Sequence, residues 1–343
     1  MSISVNEAVD ILAQQLLLKE YGVAGVGHDS IDRGDAIRVY LKTQEAADRI
    51  PDILLGYPVK KIVSGPFMAL STMLKPSYKV GKTARGLTGA KTGKWRPCPG
   101  GVSIGHKAVS AGTLCSRVVD KTTGKRLILS NNHVLANTNA ALRGDEILQP
   151  GYADGGRVET DTIAYLERFV TISSNVDNLV DCAVAVPAKD GDLADEVLDL
   201  GVITDIEEAK VGMAIAKSGR TTCYKEDTIA DINATLQVCY DELCTKVFTF
   251  RDQIVTSGPL AEGGDSGSCV INKATKKAVG LLFAGSHDDY GNPIYAVLNK
   301  MTNVCNLLNI KFGSSKPKPP DYLPWMLFGV GIFGTVTAVA SSI

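Results

Sequence analysis

The stretch EGGDSGSCVINKATKKAVGLLFAGS, residues 262–286, contains two short apolar runs, SCVIN and KAVGLLFAG, joined by a polar turn and preceded by a glycine-rich segment. Short apolar or β-branched runs between turn residues indicate strands of an antiparallel sheet. Within the glycine-rich segment, Ser266 lies between Asp265 and Gly267. Small polar residues beside glycine form turns in any protein, so this segment alone does not distinguish a turn from a nucleophile site.

The surrounding sequence repeats this strand pattern. From Cys98 to about Ile310, short aliphatic runs alternate with Gly, Asn, Asp and Thr turns. Many short strands at such spacing are typical of antiparallel barrels and sandwiches, and this length is sufficient for two small barrels. The sequence therefore predicts a mainly β domain over residues 98–310, a double antiparallel β-barrel with a helix over 296–310 at its end.

Residues 1–72 are predicted to form a small α/β domain. Apolar residues recur at helical spacing near its start, at Val5, Ala8, Val9 and Leu12. Two apolar runs, GVAGVGH and AIRVYLK, indicate strands. The first run lacks the third glycine of a dinucleotide-binding loop, so no nucleotide site is predicted. We expect this domain to regulate the rest of the chain or to bind a partner.

Two linkers are predicted. Residues 73–97 are rich in Lys, Arg, Gly and Thr and contain no Asp or Glu, which indicates an extended or flexible linker. Contact with an anionic membrane surface is the alternative. Residues 311–321, which include KPKPPD, form the second linker.

The C-terminal segment, residues 322–343, contains no charged residue. A helix of this length, at about 1.5 Å per residue, spans the roughly 30 Å core of a bilayer; a buried C-terminal helix is the alternative. Lys316 and Lys318 precede the segment and no basic residue follows it. The positive-inside rule then predicts a single-pass tail anchor in a membrane, with the body of the protein in the cytoplasm.

Composition argues against several classes of function. The 36 basic and 37 acidic residues give a formal charge of −1, so nothing indicates nucleic acid as a partner. The eight cysteines show neither CxxC pairs nor zinc-finger spacing with histidine, and no metal or cofactor is predicted. In a reducing compartment most of these cysteines should be small buried hydrophobic residues.

Two residues upstream of Ser266 have the chemistry to act with it. His133 follows the apolar strand LILSNN, at an edge where an imidazole can reach a substrate; a structural histidine is the alternative. Asp181 opens the predicted strand DCAVAVP. A carboxylate beside such an apolar run needs a partner, for example an imidazole N–H. Asp177 is the alternative carboxylate.

Taken in the order His, Asp, Ser, these motifs resemble the trypsin-like (chymotrypsin-fold) serine peptidases, particularly the divergent bacterial members without disulfides. The resemblance rests on NNHVLA, DCAVA and GDSGS followed by VGLLFAGS, and it covers about residues 98–310. It implies a catalytic triad in which Ser266 is the nucleophile and His133 is the general base and then acid. Asp181 would fix the histidine tautomer and stabilise the imidazolium.

The resemblance also implies where a substrate would bind. Gly264 and Ser266 would direct their backbone N–H groups toward the developing oxyanion. The edge strand that pairs with an extended substrate would be FAGS, that is Phe283, Ala284, Gly285 and Ser286. Leu260 would lie at the base of the specificity pocket, and an apolar floor favours small or hydrophobic substrate side chains over Lys or Arg.

The sequence departs from the family pattern in places. The frequent GDSGG ends here in Ser268, and no IVGG-like N-terminus precedes the first barrel. Asp265 is therefore not assigned the ion pair that matures trypsin-type enzymes: either the site is built without that activation, or another event orders it. Arg220 is expected either in a structural ion pair or facing the cleft. His287 is expected in a solvated loop or, with the two aspartates that follow it, against a substrate or a metal.

A serine endopeptidase tethered to a membrane, with a protein or peptide as substrate, is the function that these observations predict. Two alternatives stay open. One is a catalytically silent pseudo-peptidase whose barrels serve as a binding scaffold, and the other is an esterase that uses the same triad.

Overall fold

The computed structural model describes residues 3–17, 22–31, 34–70 and 91–313. The described chain consists of an N-terminal α/β unit, a first β unit that contains His133 and a second β unit that contains Ser266. The predicted membrane anchor, residues 322–343, lies outside the described residues. Among the helices that are described, none is long and apolar enough to cross a bilayer.

The N-terminal unit packs two helices on a small sheet, which confirms the predicted α/β region. Its elements are α1 (Val5–Leu17), β1 (Val23–Ile31), β2 (Gly34–Leu41), α2 (Gln44–Arg49), β3 (Ile53–Leu54), β4 (Tyr57–Val63) and β5 (Phe67–Ala69). Helix α1 buries its apolar face because the apolar residues recur every three or four positions. Helix α2 begins where the Thr43 side chain accepts a hydrogen bond from the backbone of Ala46 (3.3 Å).

The first β unit spans residues 98–202. Its elements are β6 (Cys98–Gly100), β7 (Ser103–His106), β8 (Gly112–Thr113), β9 (Ser116–Asp120), β10 (Arg126–Ser130), α3 (Asn132–Leu135), β11 (Glu146–Leu148), a 3₁₀ turn (Tyr152–Asp154), α4 (Val158–Asp161), β12 (Thr162–Phe169), β13 (Ala183–Pro187), a second 3₁₀ turn (Asp190–Asp192), β14 (Leu193–Val197) and β15 (Gly201–Val202). Most of its strands form one antiparallel sheet in the order β9-β10-β13-β12-β11-β7-β8.

The second β unit spans residues 214–311. Its elements are β16 (Ala214–Gly219), β17 (Cys223–Cys239), β18 (Val247–Thr256), β19 (Cys269–Asn272), β20 (Ala278–His287), β21 (Pro293–Lys300), α5 (Met301–Leu307) and β22 (Ile310–Lys311). The strands run in the order β16-β19-β20-β21-β18-β17, and β17 pairs back onto β16, which closes a barrel. The mainly β prediction is confirmed.

The helix expected over residues 296–310 is shorter than predicted. Its first part belongs to β21, which pairs with both β18 and β20, so that α5 begins only at Met301. Strand pairing on both sides overrides the local helical pattern. After α5, β22 returns to the first β unit and pairs with β9.

An apolar core fills the space between the two β units. Cys182 and Val184 of the first unit share one buried cluster with Cys269 and Leu281 of the second. The backbone N–H of Asp181 donates to the Asn299 side chain of β21 (2.9 Å). The predicted functional residues therefore lie at the interface of the two units.

The sheet of the N-terminal unit continues into the second β unit. Strand β1 pairs antiparallel with β17, with Gly25 opposite Leu236. A Cβ at Gly25 would lie 2.2 Å from the Leu236 side chain, and one at Gly27 would lie 1.8 Å from the Asp231 carboxylate. A side chain at either glycine would therefore have to displace the buried side chain of Leu236 or Asp231.

The last residues of the predicted basic linker are held against the β units. Lys91 Nζ lies 2.7 Å from the Asp199 carboxylate, and the Trp95 backbone N–H donates to the Gln149 side chain (2.9 Å). These residues at the end of the predicted linker, 91–97, are therefore held by polar contacts to the first β unit. Residues 71–90 lie outside the described part of the chain.

Candidate active site

His133 and Asp181 form a buried pair at the interface of the two β units. His133 lies in the one-turn helix α3, and its Nδ1 contacts Asp181 Oδ2. Asp181 does not open β13 as predicted, because the strand begins at Ala183. Since the carboxylate accepts, Nδ1 carries the proton and Nε2 is the basic nitrogen of the neutral imidazole.

The Asp181 carboxylate accepts two further hydrogen bonds. The backbone N–H of His133 donates to Oδ1 (3.2 Å), and the Tyr240 hydroxyl donates to Oδ2 (2.6 Å). The Tyr240 ring also meets the His133 imidazole edge-on, with centroids 5.8 Å apart. Burial, reinforced by the adjacent carboxylate, raises the pKa of Tyr240 well above its usual range, so the hydroxyl remains a donor.

Tyr240 lies inside a small loop closed by a disulfide between Cys239 and Cys244. The expectation of a chain without disulfides is therefore wrong at this position. The cysteines whose thiols are free and buried behave as expected; they are Cys98, Cys115, Cys182, Cys269 and Cys305. The disulfide restrains the loop that brings the Tyr240 hydroxyl to Asp181.

Ser266 lies in the turn between β18 and β19. Gly267, which follows it, has φ of 94°, and a Cβ there would lie 2.1 Å from the Thr113 carbonyl oxygen, so only glycine fits this turn. Ser266 Oγ donates to the Phe283 carbonyl (3.2 Å). His133 Nε2 is buried and has no hydrogen-bond partner among the described residues. The structure thus pairs His133 with Asp181 but does not hydrogen-bond Ser266 to His133.

Asp265, the residue that the sequence left without a partner, forms an ion pair within the chain. Its Oδ2 lies 2.8 Å from Lys217 Nζ, and both side chains are fully buried. The carboxylate also accepts from the backbone N–H of Thr221 (2.9 Å) and from the Thr222 hydroxyl (2.5 Å). Burying both charges is tolerated because they are paired and further hydrogen-bonded.

One of the two predicted oxyanion donors, the Gly264 N–H, holds a peptide carbonyl of the chain itself. Gly264 has φ of 93°, and its backbone N–H donates to the carbonyl oxygen of Leu70 (3.1 Å). Leu70 follows β5, so this carbonyl belongs to the N-terminal unit. The Leu70 backbone N–H in turn donates to the Phe283 carbonyl (3.1 Å).

The predicted substrate-binding strand is not a free edge. In β20, three of the four predicted residues pair antiparallel with β5, in the register Ala284 to Ala69, Gly285 to Met68 and Ser286 to Phe67. The strand that was expected to pair with an extended substrate therefore pairs with an extended segment of its own chain.

Leu260 and the Leu70 side chain belong to the same buried apolar cluster. Leu260 is fully buried, and a Cβ at Gly285 would lie 3.2 Å from Leu70 Cδ2. The residue predicted at the base of the specificity pocket thus lies in an apolar cluster that already contains a leucine side chain of the N-terminal unit. The apolar lining of this cluster matches an uncharged aliphatic group.

A cavity of about 670 Å³ adjoins His133. Its lining includes the aromatic residues Tyr240 and Phe248 and the polar residues Ser110 and Asn137. The cavity leaves room for a polypeptide beside the imidazole.

Of the two residues with open assignments, Arg220 forms an ion pair and His287 is the last residue of β20. Arg220 donates both Nε and Nη2 to the Asp154 carboxylate, each at 2.6 Å, which is the structural ion pair of the two alternatives. The side chain of Asp288, next to His287, accepts from backbone N–H groups of its own turn. Within the described ranges no group of three or more His, Cys, Asp or Glu side chains has a metal-binding arrangement.

Sequence reasoning did not identify Lys217, Tyr240 or the Phe67–Leu70 segment. Lys217 is one polar residue in an apolar strand, and only its isolation in the run GMAIAKSG gave a signal. Tyr240 ends a strand, as many surface tyrosines do. The segment FMAL, residues 67–70, has the composition of a core strand of the N-terminal unit, and nothing in it indicates another role.

The chain is similar in sequence to one known protein family. The family model described as Trypsin matches residues 85–308. A search of curated proteins finds no match.

Among solved structures, the chain is similar to a Nocardiopsis protease (NAPase), with 18% identity and a TM-score of 0.46 over 63% of this chain and 98% of that one. It is similar to a glutamic-acid-specific serine protease that uses a histidine triad in substrate binding, with 21% identity and a TM-score of 0.46 over 63% and 100% of the two chains. Thermobifida fusca protease A gives 16% identity and a TM-score of 0.45 over 63% and 98%.

The family match spans more than half of the chain and includes His133, Asp181 and Ser266. The chain therefore belongs to the trypsin family of serine proteases and has a chymotrypsin-like fold.

Proposed function

We propose that the chain is a serine endopeptidase that hydrolyses peptide bonds through Ser266, His133 and Asp181. One observation carries the proposal: the Gly264 N–H holds a peptide carbonyl (3.1 Å) at the turn that contains Ser266. A backbone donor aimed at a carbonyl beside a serine is the arrangement that acyl transfer requires.

In the proposed reaction, the Ser266 hydroxyl turns from the Phe283 carbonyl toward His133 Nε2, which takes its proton as Oγ attacks the carbonyl carbon. Asp181 holds Nδ1–H and stabilises the imidazolium, while the Gly264 N–H stabilises the oxyanion by about 3 kcal/mol. The imidazolium then protonates the leaving amine. Water, deprotonated by His133, releases the acyl group from Ser266.

Backbone pairing favours a peptide over a simple ester as the substrate. Strand β20 offers main-chain hydrogen-bonding groups to an extended chain along three residues, Ala284, Gly285 and Ser286. A small ester has no backbone to pair with such an edge, so this strand would contribute nothing to its binding.

The silent-scaffold alternative has one observation in its favour, which is that Ser266 Oγ donates to Phe283 and not to His133. An active peptidase reacts with a fluorophosphonate serine probe, and a silent scaffold does not. We expect the wild-type chain to be labelled and to hydrolyse an amide substrate, and the variants Ser266→Ala and His133→Ala to do neither. Ser257→Ala, at an exposed serine, is the matched control and should behave as wild type.

The proposed endopeptidase would be tethered to a membrane by residues 322–343, with the β units on the cytoplasmic side. The support is the uncharged sequence of that segment and the lysines before it. Extraction of membranes with alkaline carbonate tests the tether: full-length protein should stay in the pellet, and its release would contradict the proposal.

A further inference from the structure

We propose that residues 67–70 are a substrate of the chain's own active site, and that the chain cleaves itself at the bond after Leu70. The inference rests on the proposed peptidase function and extends it by naming the bond and the residues that are recognised.

Residues 67–70 pair with β20 in a continuous register. Phe67, Met68 and Ala69 lie opposite Ser286, Gly285 and Ala284 in antiparallel pairing. The next residue, Leu70, donates its N–H to Phe283 O (3.1 Å). Backbone pairing therefore continues without interruption to the residue whose carbonyl reaches Gly264. An extended peptide bound as a substrate has this arrangement, with the pairing ending at the reacting carbonyl.

The side chains of residues 67–70 fit an apolar environment. The Leu70 side chain is fully buried and lies in the cluster that contains Leu260, Ala261 and Leu282. Phe67 and Ala69 are also fully buried. The segment thus fills its binding site with apolar side chains, as a well-matched substrate does.

A fixed turn brings the chain into the cleft. After β4, the backbone N–H groups of Ser64 and Gly65 both donate to the Leu41 carbonyl (2.9 and 3.2 Å). Gly65 has φ of 68°, and a Cβ there would lie 2.3 Å from the carbonyl oxygen of His287. This turn, fixed by a glycine conformation, delivers residues 67–70 to β20 in one register.

The reaction follows from the chemistry of the uncut chain, in which Leu70 is joined to Ser71. Ser266 Oγ forms a bond to the Leu70 carbonyl carbon, and its proton passes to His133. The Leu70–Ser71 C–N bond breaks and His133 protonates the Ser71 nitrogen. Water then attacks the acyl-enzyme, which leaves a carboxylate on Leu70 and restores Ser266. The products are residues 1–70 and a chain that begins at Ser71.

The test is the intact mass of the purified full-length chain under denaturing conditions, compared between wild type and Ser266→Ala. We expect wild type to give two pieces, one ending at Leu70 and one beginning at Ser71, and Ser266→Ala to remain whole. Leu70→Asp, which puts a charge into the apolar pocket, should lower the yield of the pieces about tenfold or more. Leu70→Gly, a milder change, should lower it in the same direction. Leu55→Asp, at a half-exposed leucine of the same unit, is the matched control and should be cut as wild type.

A second measurement separates failure of this inference from failure of the proposed function. The probe is a tetrapeptide Phe-Met-Ala-Leu with a fluorogenic amide at its C-terminus. It is offered to wild type and to Leu70→Asp, whose charged side chain is disfavoured in the apolar cluster that Leu70 fills. Hydrolysis of this peptide by Leu70→Asp together with an uncut wild-type chain would overturn self-cleavage and leave the peptidase function standing. If neither protein hydrolyses the peptide or reacts with a fluorophosphonate, the peptidase function itself is wrong. Cutting of Ser266→Ala at the same bond would assign the cut to another protease and also overturn the inference.

Discussion

Lys217 Nζ lies 2.8 Å from the carboxylate of Asp265, and neither side chain reaches the solvent. Lys217 belongs to β16, which pairs with β19 immediately after the Ser266 turn. The turn is therefore held by a cation of the same barrel. The acidic residue needs no newly formed N-terminus for its ion pair.

Lys217→Met should inactivate the protein while leaving most of the fold in place. The substitution leaves the Asp265 carboxylate buried without its counter-charge, and breaking a buried pair in this way costs about 3–5 kcal/mol. We expect peptide hydrolysis to fall about a hundredfold and the free energy of unfolding to drop by that amount. Hydrolysis assays and urea unfolding measure the two effects. Lys225→Met, on the residue opposite Lys217 in β17, is the control; equal losses in both variants would contradict a specific part for the pair.

Tyr240→Phe should slow catalysis without removing the ring that packs against His133. The variant loses the 2.6 Å hydrogen bond to Asp181 Oδ2. A hydrogen bond to a charged group contributes about 1.5–3 kcal/mol, so kcat/KM should fall about 10- to 100-fold. Steady-state hydrolysis of the Phe-Met-Ala-Leu amide measures this. Tyr165→Phe, on an exposed tyrosine of β12, should leave kcat/KM unchanged.

Gly285→Val should change which side chain the pocket accepts. Even a Cβ at this position would lie 2.9 Å from the Tyr295 carbonyl oxygen and 3.2 Å from Leu70 Cδ2. Filling the pocket wall costs about 1–3 kcal/mol for a large side chain. Hydrolysis after leucine should therefore fall about 5- to 150-fold relative to hydrolysis after alanine. A pair of peptides that differ only at this residue gives the ratio, and an unchanged ratio would place the pocket elsewhere.

Asp231 should make stability fall as the pH rises. Its carboxylate is fully buried beneath β1, accepts from the Tyr40 hydroxyl (3.2 Å), and burial raises its pKa above 3.8 despite the hydrogen bond from the Asn233 backbone. Between the unfolded pKa near 4 and the raised folded pKa, the folded state binds more protons than the unfolded state. This group's contribution is therefore most favourable below pH 4 and is lost as the pH rises through the folded pKa.

Asp231→Asn removes that titration. The difference in unfolding free energy between the variant and wild type should grow in favour of the variant as the pH rises from about 4 toward neutrality. Urea unfolding at several pH values measures this difference. A difference that is constant with pH would show that Asp231 keeps its ordinary pKa in the folded protein.

Local pattern was sufficient for the residues whose chemistry shows in their neighbours. Gly264 lies two residues before Ser266 and Gly267 directly after it, both with positive φ, and such turns leave a glycine signature. The strands before His133 and after Asp181 were visible because apolar runs end where polar residues begin. These signals extend over a few residues, and this is the range over which sequence reasoning is reliable.

The remaining features depend on contacts between distant parts of the chain. The Leu70 carbonyl accepts a hydrogen bond from Gly264, although most of the β domain lies between them in the sequence. Tyr240 donates to Asp181, which is 59 positions away. Nothing in FMAL states which edge will pair with it, because strand pairing is decided by the partner's register and burial. The ion pair of Lys217 was hidden for the same reason.

The pairing of β1 with β17 has a consequence for the protein as an object in solution. A cut after Leu70 severs the polypeptide but leaves every hydrogen bond between these strands in place, together with the Tyr40 contact to Asp231. The two pieces would therefore migrate as one particle of unchanged size and would part only in denaturant. The N-terminal piece would then be a subunit that is already bound when the cut is made. Size-exclusion chromatography would not reveal that the protein had become two chains.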